Sequence, residues 1–458
     1  MRVLLVSHLY PPEHTAGTEV YTESLARSLA LRGHEVHVLC TRKDVGRLDL
    51  SVEQCVQDGV QVHRLTQNLF YRQFRETFDH PRIELFVAKL MGELKPEVVH
   101  VQHLLYLSQG VMEQALAYGA RLFATLHDFG LECARFGQLV DAAGELCHKV
   151  EAERCGACLT RFDWRQSIPQ RLVGKGLAQL RSRTGINLAP AALAAALAAG
   201  GAGARGAAEV AEVDAKQAAH LASASVERRK VLLAAYRLAE RVFCPSDFLA
   251  QRAVSAGLDA QCVEVLPTGV AMGRLQATER RPRAIAAPLR FQFLGTMVPL
   301  KGAHILLAAW GQLGPDLRRG AELYLNGPSD HAPAYAQELA DLAQDAGAHF
   351  GGRLDREAVA QALGRTDVVV VPSLWFENRP LVILEAQRAG ARVLVSDLGA
   401  LPELVPDSNW RFRAGDESAL AAALRRLIRN PDLVSAAADV VPPDWEDTVD
   451  RIAKAYGA

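Results

Sequence analysis

The stretch Val368–Val405 reads VVVVPSLWFENRPLVILEAQRAGARVLVSDLGALPELV. Its first four residues are β-branched without interruption, the pattern of a strand buried on both faces of a parallel sheet. A polar loop follows, the apolar spacing from Leu381 to Gly390 becomes helical, and Arg392–Val395 resumes as a strand. Strand, loop, helix and strand form the unit of a doubly wound α/β sheet, which binds ligands outside the carboxyl ends of its strands. Glu377 lies in that ligand-facing loop. Asn378, Arg379, Pro380 and Leu381 mark a helix N-terminus whose unpaired N–H groups suit an anionic diphosphate. Glu385, one turn into the helix, would repel a phosphate but suits the two adjacent hydroxyls of a ribose. For either glutamate alone, a surface acid favoured by the helix dipole is the competing reading.

The same alternation extends upstream. In Phe291–Gly302, FQFLGTMVPLKG, a strand over Phe291–Leu294 ends in a loop carrying Gly295 and Lys301. A flexible ammonium at that sheet edge neutralises charge on a departing diphosphate; a solvated lysine at a helix start is the alternative. Further strands are predicted at Glu322–Asn326, and helices at Ala303–Trp310 and Ala334–Ala346. A second series occupies the first half of the chain. Strands are expected at Arg2–Ser7, Glu35–Cys40, Val98–Val101 and Leu122–Leu126, with a helix over Glu19–Arg32 stopped by Gly33. His103 and His127 fall at strand ends. The fold class is therefore α/β, with two Rossmann-like doubly wound domains facing each other across a cleft. The first domain is expected over 1–280 and the second over 289–435, with a linker at Arg280–Pro288 and a C-terminal helix, 436–458, packing back on the first.

The chain has 458 residues, too many for one ordinary core, and its 51 Lys+Arg against 52 Asp+Glu give no electrostatic case for nucleic acid. The apolar opening is too short for a signal peptide and no apolar run is long enough to span a bilayer, so a cytoplasmic location is expected. Peripheral association with the inner face of the membrane stays open. A literal G-x-G-x-x-G at Gly201, Gly203 and Gly206 lies in an Ala/Gly-rich stretch with no strand before it, and we read it as a chance match. That stretch, about 187–225, is expected to be an insertion.

Together with AGTEVYTESLARSLALRGHEVHVL in the first half, TLHD at Thr125–Asp128, CPSDFL at Cys244–Leu249, LPTGV at Leu266–Val270 and the pair Glu377 and Glu385, these motifs resemble the family 4 retaining glycosyltransferases of the GT-B fold. The resemblance covers nearly the whole chain. It implies transfer of a sugar from a nucleotide-diphosphate donor to a glycan, a lipid-linked molecule or another hydroxyl acceptor, in polysaccharide or glycoconjugate biosynthesis, with no cofactor needed for catalysis. It implies that Glu385 binds the ribose, Glu377 the donor sugar and Lys301 the diphosphate. Gly17 is implied to let the first loop approach the donor, and His127 to face the transferred sugar. Domain closure about the linker should exclude water. A nucleotide-sugar 2-epimerase of the same fold and a non-catalytic scaffold are the rival readings.

Some positions depart from the family pattern. Thr296 stands where such enzymes commonly carry an arginine, and Arg379 is one candidate to replace that charge. Ala16 with Gly17, and Gly399 with Ala400, replace glycine pairs. A cysteine-rich excursion, 131–160, holds Cys133, Cys147, Cys155 and Cys158, and resembles a subgroup with cysteines after the His-Asp strand end. A structural zinc on these four thiolates is one reading, with His148 as a substitute ligand, and four free thiols the other.

Overall fold

The computed structural model describes residues 1–192, 214–270, 287–435 and 440–457. The G-x-G-x-x-G match, most of the Ala-rich stretch and all but the end of the expected linker lie outside the described residues. The chain divides into two compact units. The first comprises Met1–Cys244, Ala250–Glu264 and Ile452–Ala458, the second Pro245–Leu249 and Val265–Arg451. Residues Val265–Val270, expected at the end of the first domain, thus fall with the second unit. Each unit is a predominantly parallel sheet flanked by helices.

The first sheet has eight strands: β1 Arg2–Val6, β2 Glu35–Arg42, β3 Val52–Gln57, β4 Val60–Thr66, β5 Val98–Val101, β6 Arg121–Thr125, β7 Arg241–Cys244 and β8 Val263–Val265. Their spatial order is β3-β4-β2-β1-β5-β6-β7-β8. The run of Val3, Leu4, Leu5 and Val6 is buried because β1 is paired with β2 on one side and β5 on the other. Between β1 and β5 the chain order reverses, and a crevice opens where helices leave in opposite directions. The antiparallel hairpin of β3 and β4 was not foreseen. Its signal was the Asp58-Gly59 pair, both at positive φ, between two alternating runs. Tyr456 of the C-terminal helix Trp445–Tyr456 belongs to the first unit, where its hydroxyl meets His100 and its ring packs on Phe123.

The second sheet has six strands: β9 Leu289–Leu294, β10 Ala321–Asn326, β11 His349–Gly351, β12 Val368–Val371, β13 Arg392–Ser396 and β14 Arg411–Phe412. Their order is β11-β10-β9-β12-β13-β14, all parallel, so the reversal lies between β9 and β12. The core fills both faces, with Phe291 of β9 set edge-on against Trp310 of the following helix. Phe291→Ala should lower stability by about 3–5 kcal/mol, seen as a lower unfolding midpoint in guanidinium at unchanged slope. An unchanged midpoint would remove β9 from the centre of this core.

Candidate functional site

Both sequence-predicted loops of the second unit emerge at the β9/β12 reversal. After β9, a short 3-10 turn, Pro299–Lys301, ends at Gly302, whose φ is +72°. A β-carbon at Gly302 would lie 1.9 Å from the carbonyl oxygen of Pro372, so only glycine lets the two loops touch. The amide of Leu374 donates to the carbonyl of Leu300 at 2.8 Å, and Ser396 Oγ donates to the carbonyl of Ser373 at 2.8 Å. The loop after β12 is thereby held from both sides.

That frame brings Lys301 and Glu377 together. Lys301 Nζ donates to Glu377 Oε1 at 2.7 Å, Ser373 Oγ donates to the same oxygen at 2.7 Å, and Trp375 Nε1 at 2.8 Å. The ammonium also lies 5.0 Å from the centre of the Trp375 ring. Burial works to raise the pKa of Glu377; the Lys301 charge and the three hydrogen bonds outweigh it and hold the carboxyl below its ordinary range. Ser373 and Trp375 were not singled out from the sequence. Their only signal was being a polar and an N–H-bearing side chain four and two residues before the glutamate.

The helix Leu381–Arg388 begins just beyond, at Pro380, with no side-chain cap, and the Ile383 amide donates to the Pro380 carbonyl at 3.1 Å. Asn378 is buried, and its Oδ1 accepts from Ser246 Oγ. Arg379 donates to the carbonyl of Thr268 at 3.2 Å and reaches that of Pro245 at 3.5 Å. Burial pushes its pKa down to about 10, with Glu403 opposing. Glu385 lies half-buried on the same helix. Gly295 follows β9 beneath the Phe293 ring, and the carbonyl of Thr296 accepts from the Val298 amide.

In the first unit, the ends of β1, β5 and β6 bring four histidine and carboxylate side chains to one edge. His127 Nε2 lies 3.0 Å from Gln102 Oε1, and its ring meets Tyr21 edge-on at 4.7 Å. Burial and the neighbouring His103 push its pKa down to about 3, so the imidazole is neutral at neutral pH. His103 Nδ1 accepts the amide of Leu105 at 2.9 Å, which leaves the proton on Nε2 to donate to Asp128 at 3.0 Å. The His8 ring lies tilted against that of His103, with centroids 4.3 Å apart. The Nε2 amide of Gln102, a residue 1% exposed, has no hydrogen-bond partner. Gln102, His103, His127 and Asp128 line a cavity of about 860 Å³, its open mouth included, whose far wall is Phe136, Phe162 and Trp164. Gly17 opens the helix Gly17–Leu31, with clear space where a side chain would stand.

Residues 16–160 match the model of a glycosyl transferase 4-like domain and residues 288–430 that of glycosyl transferases group 1. The chain belongs to the family 4 glycosyltransferases of the GT-B fold. Curated relatives include a D-inositol 3-phosphate glycosyltransferase of Geodermatophilus obscurus, 31% identical over 219 residues, 44% of this chain and 48% of that protein. A glycogen synthase of Mycobacterium tuberculosis is 27% identical over 205 residues, 42% of this chain and 48% of the other. The chain thus spans about half the length of the curated relatives it matches. Among solved structures, sucrose-phosphate synthase from Thermosynechococcus elongatus superposes with a TM-score of 0.62 at 18% identity, covering 100% of this chain and 98% of that one. Anabaena HepE in complex with UDP and glucose gives 0.58 at 15%, covering 100% and 99%. Among the described residues, no helix is long and apolar enough to cross a membrane.

The depressed pKa of Glu377 fixes the sign of a pH effect. Its ionised form stabilises the fold above the unfolded value of about 4.3, and that contribution is lost as pH falls through the folded pKa. Glu377→Gln should therefore lower stability at pH 7 and flatten the decline in acid, read by urea unfolding from pH 7 to pH 3. A variant that tracks the parent across that range would separate Glu377 from the pair.

Proposed function

We propose that the protein is a retaining glycosyltransferase that uses a nucleotide-diphosphate sugar. The observation that carries the reading is the Lys301–Glu377 pair beside an uncapped helix N-terminus at the sheet reversal. The diphosphate sits on the first amides of Leu381–Arg388. Lys301 directs one of its three N–H bonds to Glu377 and presents the others to the phosphate as negative charge builds on the leaving group. Glu377 has Oε1 saturated by three donors, so Oε2 is the oxygen that takes a donor-sugar hydroxyl. Glu385 takes the ribose hydroxyls.

A carboxylate held by three donors, one of them a lysine ammonium, is a poor nucleophile, which supports transfer without a covalent sugar-enzyme intermediate. The proton of the attacking hydroxyl then passes to the departing phosphate. His127, neutral, serves as a hydrogen-bond partner of the sugar and carries no charge to it. The acceptor, a glycan or other polyol, enters the cavity of the first unit, where Gln102 Nε2 supplies an unused donor and Phe136, Phe162 and Trp164 offer faces for a sugar ring. All eight cysteines are free, which fits work in a reducing compartment such as the cytoplasm, and a lipid-linked acceptor would bring the protein to the inner membrane face.

Thermal stability against UDP, ADP, GDP and their sugar conjugates tests the reading. One nucleotide should raise the melting temperature by a few degrees, and Glu385→Ala should abolish the rise. With that donor, Lys301→Ala should lower kcat by about 10²-fold or more while the fold persists, and the product anomer should match that of the donor. No response to any nucleotide, or an inverted product, would sink the proposal.

A further inference from the structure

The excursion between β6 and β7 brings together four thiols that the proposed reaction does not use. Cys133, Cys147, Cys155 and Cys158 all line one small cavity, although they come from three separate pieces of chain. Cys133 follows β6, Cys147 ends a hairpin marked by the Val140–Leu146 bridge, and Cys155 and Cys158 share the helix Ala152–Thr160. His148 does not line this cavity; it faces a different groove. We propose that this cavity is a structural zinc site with a tetrahedral set of four cysteine ligands, a closed site that needs no exchangeable fourth position.

Three observations support the assignment besides the count of thiols. First, two of the thiols are held only loosely where they are. Cys133 Sγ reaches the carbonyl of Arg135 at 3.8 Å and Cys147 Sγ that of Glu145 at 4.0 Å, the outer limit of a sulfur hydrogen bond. Among the described residues no three His, Cys, Asp or Glu side chains already stand as a ligand set, so closing the site requires these thiols to rotate inward from weak bonds. Second, the charge suits the product. Zn²⁺ displaces four thiol protons to water and leaves a tetrathiolate of net charge −2. Arg135 and Lys149 line the same cavity, and of its three acids Asp141 is engaged by Arg154 at 2.6 Å and Glu132 by Arg252 at 2.8 Å, which leaves Glu151 against the two cations. Third, the segment between the first two thiols carries backbone strain, although ion pairs and the packing of Gly156 on Ala218 and Ala222 also hold the excursion. Phe136 and Leu139 both adopt positive φ, a cost of about 1–3 kcal/mol each, and its regular structure is one bridge and one nine-residue helix.

The consequence falls on the neighbouring cavity. Cys133 lines both, and Phe136 and Gly137 between the first two ligands form part of the wall facing Asp128. A β-carbon at Gly137 would lie 2.6 Å from the Asp128 carboxyl carbon, so this wall tolerates little displacement. Zinc would fix it as a staple fixes a loop.

The test uses the full chain, purified without chelator. Elemental analysis should find about one zinc per chain, released by a mercurial thiol reagent. Replacement by Co²⁺ should give thiolate charge-transfer absorption and the intense visible bands of tetrahedral cobalt. The double variant C155S/C158S should lose the metal, whereas Cys262→Ser, a cysteine outside the cluster, should keep it. If the double variant does not fold, the cobalt spectrum of the parent still decides. A chain that stays metal-free after refolding with Zn²⁺, or a mass showing that two of the four are joined as a disulfide, would overturn the proposal. Neither result touches the donor reading, which nucleotide binding reports separately.

Discussion

The second unit depends on one close approach. Loops that leave non-adjacent segments of chain, after β9 and after β12, meet across the sheet reversal because Gly302 presents no side chain to the carbonyl of Pro372. Everything polar at that edge follows from the contact. Lys301 is the residue before the glycine, and Glu377 lies five residues after the proline, so joining the backbones also joins the charges. A methyl at 302 would part the loops and leave a buried carboxylate without its cation, a far larger loss than the packing of one methyl group.

The two sheet edges solve different electrostatic problems. In the second unit a charged pair is retained where burial opposes it, and the pair persists because four groups share in holding it: ammonium, hydroxyl, indole N–H and the aromatic face beneath the ammonium. In the first unit burial has the opposite outcome and holds His127 neutral. A neutral imidazole has one donor and one acceptor, which suits the hydroxyls of a sugar.

The fold was legible because unbroken runs such as Val368–Val371 and Val3–Val6 can be buried on both faces only in a parallel sheet. The positions of Lys301, Glu377 and His127 followed, since each is a loop residue just beyond such a run. What those side chains touch was not legible. Ser373 and Trp375 converge on one oxygen of Glu377 through loop torsions that have no period, and Gln102 meets His127 only because β5 and β6 are neighbours in the sheet. The hairpin of β3 and β4 was missed for a different reason: β3 alternates half-exposed and exposed residues, so its Val52, Cys55 and Val56 lack the buried pattern, and only the Asp-Gly turn marks it. Arg379 shows the limit most clearly. Proximity in sequence to the helix N-terminus suggested a phosphate contact, whereas its guanidinium is engaged by two backbone carbonyls.

That placement of Arg379 bears on how the proposed donor is held. With Thr296 where the family commonly has arginine, and Arg379 engaged by backbone carbonyls, the proposed site has one ammonium and a helix terminus worth roughly half a charge to set against a diphosphate. The ammonium is already partly neutralised by Glu377. Phosphate attraction alone is then weak, and binding has to draw on the neutral parts of the donor, the ribose at Glu385 and the sugar at Glu377. The same balance speaks against a scaffold. A Lys–Glu pair whose carboxylate is buried gains little stability over apolar side chains of the same size, so its presence beside an uncapped helix start is better explained by a ligand than by the fold.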